Sequence, residues 1–382
     1  MNTRQHVTPD LRCWAEIDTS ALRHNARTAG ELSGGGMECV MAIVKANAYG
    51  HRLSVVVSAL KEEIGAFAVA NLTEAIEVER HAARDRDGGR APIYILSPSL
   101  PGECAEISRR GFIPAISTLE EVENFAQHGS PEHPVQLHVV TDTGMGRMGV
   151  LPDEADELLT AVRAESRVKL DSLSTHFPSS DEDESFTRTQ EAGFRELVQI
   201  LQQKHGPFRT HIANSAGILH YPRSKGETVR AGLMLYGISP LPEYQSQLRP
   251  ALVWKTRITL VRELTAGWGI SYGRSCITDR PSRIATLAAG YGDGYPRQVS
   301  GKGACVEVQG IRCPVMGRVT MDQMMIDVSH LPSPPSPGDT AVLLGGTITA
   351  GEIASLAGTI PWHIFTSITD RTVRIASTGS QP

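Results

Sequence analysis

Eight short apolar runs divide the first two thirds of the chain, at about 37–44, 65–70, 92–97, 112–117, 135–141, 169–175, 208–213 and 228–236. An apolar run without polar alternation is the pattern of a strand buried on both faces, and such strands occur in parallel sheets covered by crossover helices. The intervening segments carry helical spacing. In residues 185–205, Phe194, Leu197, Val198 and Leu201 recur at three and four residues and form one apolar face. Residues 152–166 put Leu158, Leu159 and Val162 on one side, with acidic groups in the first turn, where they complement the helix dipole. "STLEEVENF" from Ser117 has the spacing of a capping box. The acidic run 181–184 reads as a solvated helix start. Eight strands alternating with helices predict an α/β fold, a (β/α)8 TIM-type barrel. A doubly wound open sheet is the alternative, and the count of eight favours the barrel.

After "GISPLPEYQSQLRP" (237–250) the pattern changes to short strand-like runs separated by turn residues: WKTRITLV, RIATLAAG, ACVEVQGIRCPVMG, MMIDVS and TAVLLGG. This predicts a C-terminal mainly-β domain. The expected division is a barrel over 12–243 and a β-domain over 244–382. "LPSPPSPGD" (331–339) reads as a surface loop, because clustered prolines exclude regular structure. The last six residues, "STGSQP", read as a frayed tail.

Composition narrows the partners. The net charge is −5 with no long basic block, so nucleic acid is not expected. No stretch reaches the eighteen or more apolar residues of a membrane span, and the N-terminus lacks the apolar core of a signal peptide. The six cysteines are scattered, with no CxxC pair, which suits reduced thiols in a cytoplasm. The thirteen histidines form no HxxxH or HxH pair, so no metal site is expected.

In parallel barrels, chemistry collects at the C-terminal ends of the strands. Five of the eight predicted ends carry polar groups there. They are Lys45 and Tyr49 after the first; Asp142 and Arg147 in "TDTGMGRMG" after the fifth; His176 in "STHF" after the sixth; His211, Asn214 and Ser215 in "HIANSAG" after the seventh; Arg230 and Gly232 in "VRAGLMLYG" at the eighth. Each has a bland reading alone: a surface lysine, an ion pair, a core histidine, an N-cap. Together they suit one small charged ligand. A rim lysine can form an imine with an aldehyde, and Ser215 at a helix start with nearby N–H groups can hold an anion. Aldehyde plus phosphate suggests pyridoxal 5′-phosphate, although phosphate alone fits many barrels.

The same residues resemble the alanine racemases of the pyridoxal-phosphate barrel class. The resemblance runs from about Trp14 to Ile375 and rests on "AIVKANAYGHR", "TDTGMGRMG", "THF", "HIANSAG", "VRAGLMLYG", "ISYGRS", "GYGDGYPR" and "CPVMGRVTMDQMMID". It implies interconversion of L- and D-alanine by two bases, supplying D-alanine for peptidoglycan, in a cytoplasmic homodimer with shared active sites. By resemblance, Lys45 carries the cofactor and serves as one base, and Tyr272, supplied by the partner subunit, is the other. His176 orients that tyrosine. Arg230 faces the pyridine nitrogen with His211 behind it. Tyr49, Ser215, Gly232 and Leu233 cradle the phosphate. Arg147, Met321 and Asp322 bind the substrate carboxylate, and Tyr291 borders the access passage, with Tyr295 close to the same pocket.

The physical logic is consistent. Two bases on opposite faces move a proton without turning the substrate. Tyrosine is a poor base near its ordinary pKa of about 10, so it needs cationic or donating neighbours, which Arg147 and His176 can supply. A guanidinium only donates, leaving the pyridine nitrogen unprotonated. Two departures stand out. The family often has a carbon-dioxide-modified lysine two residues before the Asp of "DTGMGR"; here that residue is Val140, so Arg147 needs another support. Asp370 stands where a phosphate-side tyrosine is expected, and it is expected to turn toward Arg371 or Arg374. The competing readings are a racemase of broader range, such as one taking serine, a barrel-type decarboxylase, and a cofactor carrier.

Overall fold

The computed structural model describes residues 11–82, 91–221 and 227–379. The expected tail lies partly, and the N-terminal ten residues wholly, outside the described residues. The chain divides into two compact units. One comprises Ser20–Ala48 and Leu53–Arg249; the other Met1–Thr19, Tyr49–Arg52 and Pro250–Pro382.

The first strand, β1 (Cys13–Asp18), belongs to the second unit. The eight that follow form the barrel: β2 (Val40–Ile43), β3 (Ala66–Val69), β4 (Ile93–Pro98), β5 (Ile113–Ile116), β6 (Val135–Val140), β7 (Val168–Ser174), β8 (Arg209–His211) and β9 (Val229–Ala231). Their order is β8-β7-β6-β5-β4-β3-β2-β9 and every ladder pairing is parallel. Two backbone bonds link the segments that carry β8 and β9, Thr228 N–H to Thr210 O at 3.0 Å and Arg230 N–H to Ala213 O at 2.9 Å. All eight apolar runs thus become strands. VMAI of β2 and AFAV of β3 are buried at every position, because helices cover the outside and side chains fill the inside.

Helix boundaries follow the capping chemistry. Asp183 caps the long helix Glu184–His205 by accepting the Phe186 N–H. Thr118 and Glu121 form the capping box of Leu119–Ala126. On the long helix Phe194 and Leu201 are buried and Leu197 and Val198 half-buried, but Thr187 and Gln190 are buried beside them. The inward face is therefore partly polar.

The second unit is built on an antiparallel sheet. Its strands are β10 (Leu252–Leu264), β11 (Gly269–Ile270), β12 (Cys276–Ile277), β13 (Ser282–Leu287), β14 (Cys305–Val308), β15 (Ile311–Met316), β16 (Met324–Asp327), β17 (Thr340–Leu344) and β18 (Val373–Ser377). The main order is β13-β16-β15-β14-β17-β10-β1-β18, with β13 also paired to β10; β11 and β12 form a separate hairpin. The run ACVEVQGIRCPVMG splits at Gln309 and Gly310, whose positive φ values of 55° and 76° make a tight hairpin turn.

Three features differ from the sequence reading. Residues 12–19 were assigned to the barrel, but β1 pairs antiparallel with β10 and parallel with β18. Its Trp14 and Glu16 share one face of that sheet, where Lys255 binds Glu16 at 2.7 Å and the Arg257 guanidinium lies over the Trp14 ring. Tyr295 does not border a pocket; it is fully buried against Trp254 with ring centroids 5.9 Å apart. The β-domain also contains two helices, Ala350–Ala357 and Pro361–Ser367. Thr349 caps the first by accepting the Glu352 N–H, and Gly358 ends it in a left-handed conformation.

Candidate active site

In the barrel unit, Lys45 leaves the end of β2 on a backbone that turns the uncommon way. Ala46, Asn47, Ala48 and Tyr49 have φ of 53°, 54°, 55° and 51°. Four successive non-glycine residues in the left-handed region cost roughly 1–2 kcal/mol each. Such strain persists where surrounding contacts outweigh it, and it concentrates at functional sites. The contacts here include Ala48 N–H to Val44 O at 2.8 Å, Leu53 N–H to Asn47 Oδ1 at 2.8 Å and Ala46 N–H to Glu74 Oε1 at 2.7 Å. Burial and the Arg147 guanidinium push the Lys45 amine below its ordinary basicity; Glu74 acts against them and Arg230 with them.

Arg230, on β9, is buried inside the barrel. Its Nη1 donates to Nδ1 of His211 at 2.7 Å and to the His211 carbonyl at 2.8 Å. Its Nη2 donates to the carbonyls of Thr175 at 2.8 Å and Ile212 at 3.0 Å, and to Nδ1 of His176 at 3.1 Å. Burial lowers its pKa to about 10, with Glu227 opposing and Arg147 adding to the shift, so it stays a cation at neutral pH. A guanidinium cannot accept. Both imidazoles must therefore accept through Nδ1 and carry their protons on Nε2. Burial and Arg230 keep His176 neutral, with its pKa lowered to about 3. Burial, His138 and Arg230 hold His211 well below its ordinary value. Among the described residues the hydrogen bonds of the Arg230 guanidinium all run from Nη1 and Nη2, and its Nε–H has no acceptor.

Ser215 follows β8 on the short helix Ser215–His220, with Asn214 as N-cap. Its Oγ accepts the N–H of Gly232 at 3.2 Å and of Met234 at 3.3 Å, which leaves its own O–H to donate elsewhere. Leu233 opens the 3-10 turn Leu233–Tyr236, whose leading N–H groups have no partner within the turn.

Arg147 lies on the loop after β6. Val140, where an anionic lysine is common, is buried and apolar. Asp142 organises the loop instead, accepting the N–H of Gly144 at 2.9 Å, Met145 at 2.8 Å and Arg147 at 3.1 Å. Burial raises the Asp142 pKa, but these amides outweigh it and hold the carboxyl below its ordinary value. Gln190 of the long helix adds a second tie. Its amide donates to Thr143 Oγ1 at 2.7 Å and to the His176 carbonyl at 2.9 Å.

The barrel unit thus brings together Lys45, Arg147, His176, His211, Ser215, Arg230, Gly232 and Leu233. The other five expected residues, Tyr49, Tyr272, Tyr291, Met321 and Asp322, belong to the second unit. There, burial pushes the Tyr49 phenol up to about 12. Tyr272 is 70% exposed at the tip of the β11–β12 hairpin. Ser271, Gly273 and Arg274 around it have φ of 62°, 71° and 46°, and Leu264, Ile270 and Ile284 pack beneath with Cys276, Met316 and Met325. Ser271 Oγ donates to the Arg318 carbonyl at 2.6 Å, tying the tyrosine to the loop that carries Met321. Tyr291 N–H donates to Thr320 O at 3.0 Å and Gly292 N–H to Met321 O at 2.8 Å. This contact explains the glycines of "GYGDGY": a Cβ at Gly290 would lie 2.2 Å from Thr320 O, and one at Gly292 2.4 Å from Arg371 Nη1. Arg371 binds Asp322 at 2.9 Å and lies 3.4 Å from the buried carboxylate of Asp293. Asp370 is exposed and its field acts on Arg374.

A family model described as the alanine racemase N-terminal domain matches residues 17–240, and one for the alanine racemase C-terminal domain matches residues 251–376. The chain belongs to the alanine racemase family. It is therefore an isomerase, an amino-acid racemase. An alanine racemase of Halothermothrix orenii is 38% identical over 373 residues, covering 94% of this chain and 96% of that one. The biosynthetic alanine racemase of Pseudomonas aeruginosa superposes with a TM-score of 0.84 at 32% identity, covering 96% of this chain and 100% of the other. The alanine racemase of Bartonella henselae, solved with covalently bound pyridoxal phosphate, has a TM-score of 0.86 at 25% identity and covers 96% and 100%.

Among the supports of the racemase site, sequence reasoning passed over Glu74, His138 and Gln190. For Glu74 a signal existed. Asn71 and Glu74 in "NLTEA" have N-cap and N3 spacing. His138 is buried within the barrel beside His211, ring centroids 4.5 Å apart, and nothing in "LHVV" marks it.

Proposed function

We propose that this chain racemises alanine with pyridoxal 5′-phosphate covalently held by Lys45, using Lys45 and Tyr272 as proton-transfer groups on opposite faces of the substrate. The observation that carries the reading is Arg230, a buried cation with every Nη donor engaged and one Nε–H left over. A pyridine nitrogen, an acceptor with a single lone pair, suits that donor. The O–H of Ser215 and the N–H of Leu233 suit a phosphate, and Tyr49 and Gly232 are assigned to the same group in this proposal. When bound, the cofactor draws electron density away from the substrate Cα.

The chain's own residues do the rest. Lys45 is made less basic by burial and by Arg147, which favours the neutral amine that attachment and proton removal both need. Tyr272 exchanges the proton at the other face. His176 offers its Nε2–H, the orientation Arg230 enforces, as a donor to the phenolate oxygen, and a donor to the charged form favours that form. His211 backs Arg230. Arg147 holds the substrate carboxylate from one side. The Met321–Asp322 loop meets it through backbone N–H groups, since the Asp322 carboxylate is engaged by Arg371. Tyr291 borders the passage inward.

The working unit in this proposal is a homodimer, each site completed by Tyr272, Met321 and Asp322 of the partner copy. The exposure of Tyr272 on a stiff hairpin suits delivery to a neighbouring surface. D-alanine for peptidoglycan, made in the cytoplasm, is the proposed use, in keeping with the biosynthetic relative.

The test is to incubate protein, pyridoxal phosphate and L-alanine in deuterated water. Optical rotation decaying to zero with deuterium at Cα is expected, and borohydride reduction should leave the cofactor mass on Lys45. Repeating with L-serine measures breadth. Rotation that persists without exchange, or label retained in Lys45→Ala, overturns the reading.

A further inference from the structure

We propose that Glu74 is the positioning residue for Lys45, its carboxylate fastening the first amide of the left-handed turn and so setting where the lysine amine leaves the barrel. The proposal rests on the reading above that Lys45 carries the reactive amine.

The geometry is specific. The peptide after Lys45 belongs to Ala46, the first residue of the turn, and its N–H points at Glu74 Oε1, 2.7 Å away. The other oxygen, Oε2, accepts the N–H of Ala70 at 2.9 Å, immediately beyond β3. Because β2 and β3 are parallel neighbours, paired from Met41 with Ala66 to Ile43 with Ala68, one carboxylate bridges the ends of two adjacent barrel strands. Glu74 is itself held. It is the third residue of the helix Leu72–His81, and Asn71 Oδ1 accepts its N–H at 3.0 Å. A carboxylate in a first helical turn is also favoured by the helix dipole.

A turn that starts with a left-handed alanine cannot satisfy its leading amide internally. A neutral acceptor would serve, but a charged one makes a stronger bond. The charge also acts on the amine. Arg147, Arg230 and Glu74 are the charged groups acting on Lys45, while His176 is neutral for the reasons given above. Glu74 is thus the anion offsetting two guanidinium groups at this lysine, and it occupies a place the motif around Lys45 does not reveal.

The experiment uses the full chain, with and without pyridoxal phosphate, as wild type, Glu74→Gln and Glu74→Ala. Glutamine keeps an acceptor oxygen and helix propensity but removes the charge, so Glu74→Gln stays informative where Glu74→Ala fails to fold. Two readouts are independent of turnover: amide exchange at Ala46 and Ala70, and the pH dependence of Lys45 reductive methylation, followed by peptide mass. Glu74→Gln should speed exchange at Ala46 about tenfold or more and move the Lys45 midpoint to lower pH. It should also lower kcat about tenfold or more, with the overall melting temperature retained. Unchanged exchange together with an unchanged lysine midpoint in Glu74→Gln would overturn the proposal, whatever happens to the rate. Failure of wild type to attach the cofactor at Lys45 would instead count against the cofactor reading, while exchange and methylation still decide the role of Glu74.

Discussion

Nη2 of Arg230 donates to Nδ1 of His176 at 3.1 Å, and this contact decides where the histidine keeps its proton. The same guanidinium treats His211 identically at 2.7 Å. Two imidazoles on either side of one buried cation are thereby held neutral. In most sites a histidine beside a reacting tyrosine could act as either acid or base. Here Arg230 leaves His176 only a donor at Nε2, and in the proposed mechanism that donor serves the Tyr272 oxygen.

This arrangement carries a cost in acid. His138 and His176 are both lowered to about 3, the first by burial, then Arg230, the second by burial, then Arg230 and Arg147. Unfolded histidine titrates near 6.5, so the unfolded chain takes up these protons first. The stability present above about pH 6.5 is lost as pH falls toward the folded value. The loss is about 1.4 kcal/mol per pH unit for each ring. Urea titrations at pH 7 and pH 5 should report it, and His138→Asn should flatten the dependence. Equal slopes for wild type and variant would contradict the assignment.

Tyr272→Phe should reduce racemisation by about 10²–10⁴-fold while preserving Cα deuterium exchange from one alanine enantiomer. Loss of exchange from both enantiomers alike would argue against two separate bases. Lys45→Ala and Tyr272→Phe chains, each inactive alone, should regain activity when mixed into one dimer, because one of its two sites then holds both intact residues. Confirmed mixed dimers without activity would exclude a shared site.

Arg371 links Asp322 at 2.9 Å to Asp293 at 3.4 Å while half-exposed, so each pair contributes only modestly. Arg371→Met should raise KM for alanine about two- to fivefold with a smaller effect on kcat. The double variant with Asp322→Asn should be no worse than the poorer single one, since both remove the same link. Additive losses in KM would show that the two residues act separately.

Much of this was legible in the chain. VMAI, AFAV and the other apolar runs could only be strands covered on both faces, and Thr118–Glu121 and Asp183 announced their helices. The polar residues at the strand ends were named because each closes an apolar run within a few residues. Other features had no local trace. Tyr295 reads like Tyr291 in "GYGDGY", yet one is buried against Trp254 and the other is exposed. The four-residue offset that separates them acquires meaning only once the Gly290–Gly294 loop is bent under Thr320 and Ser367.

The sequence by itself determined the strand–helix alternation, the capped helix starts and the chemical inventory of the site, because these depend on periodicity and on residue type over a few neighbours. Tertiary structure alone decided that β1 joins strands from the far end of the chain, that Arg230 dictates the protons of two histidines, and that Glu74 grips the amide after Lys45. Each of these joins groups from separate segments, and a hydrogen bond depends on the position and direction of both partners, which local patterns do not specify.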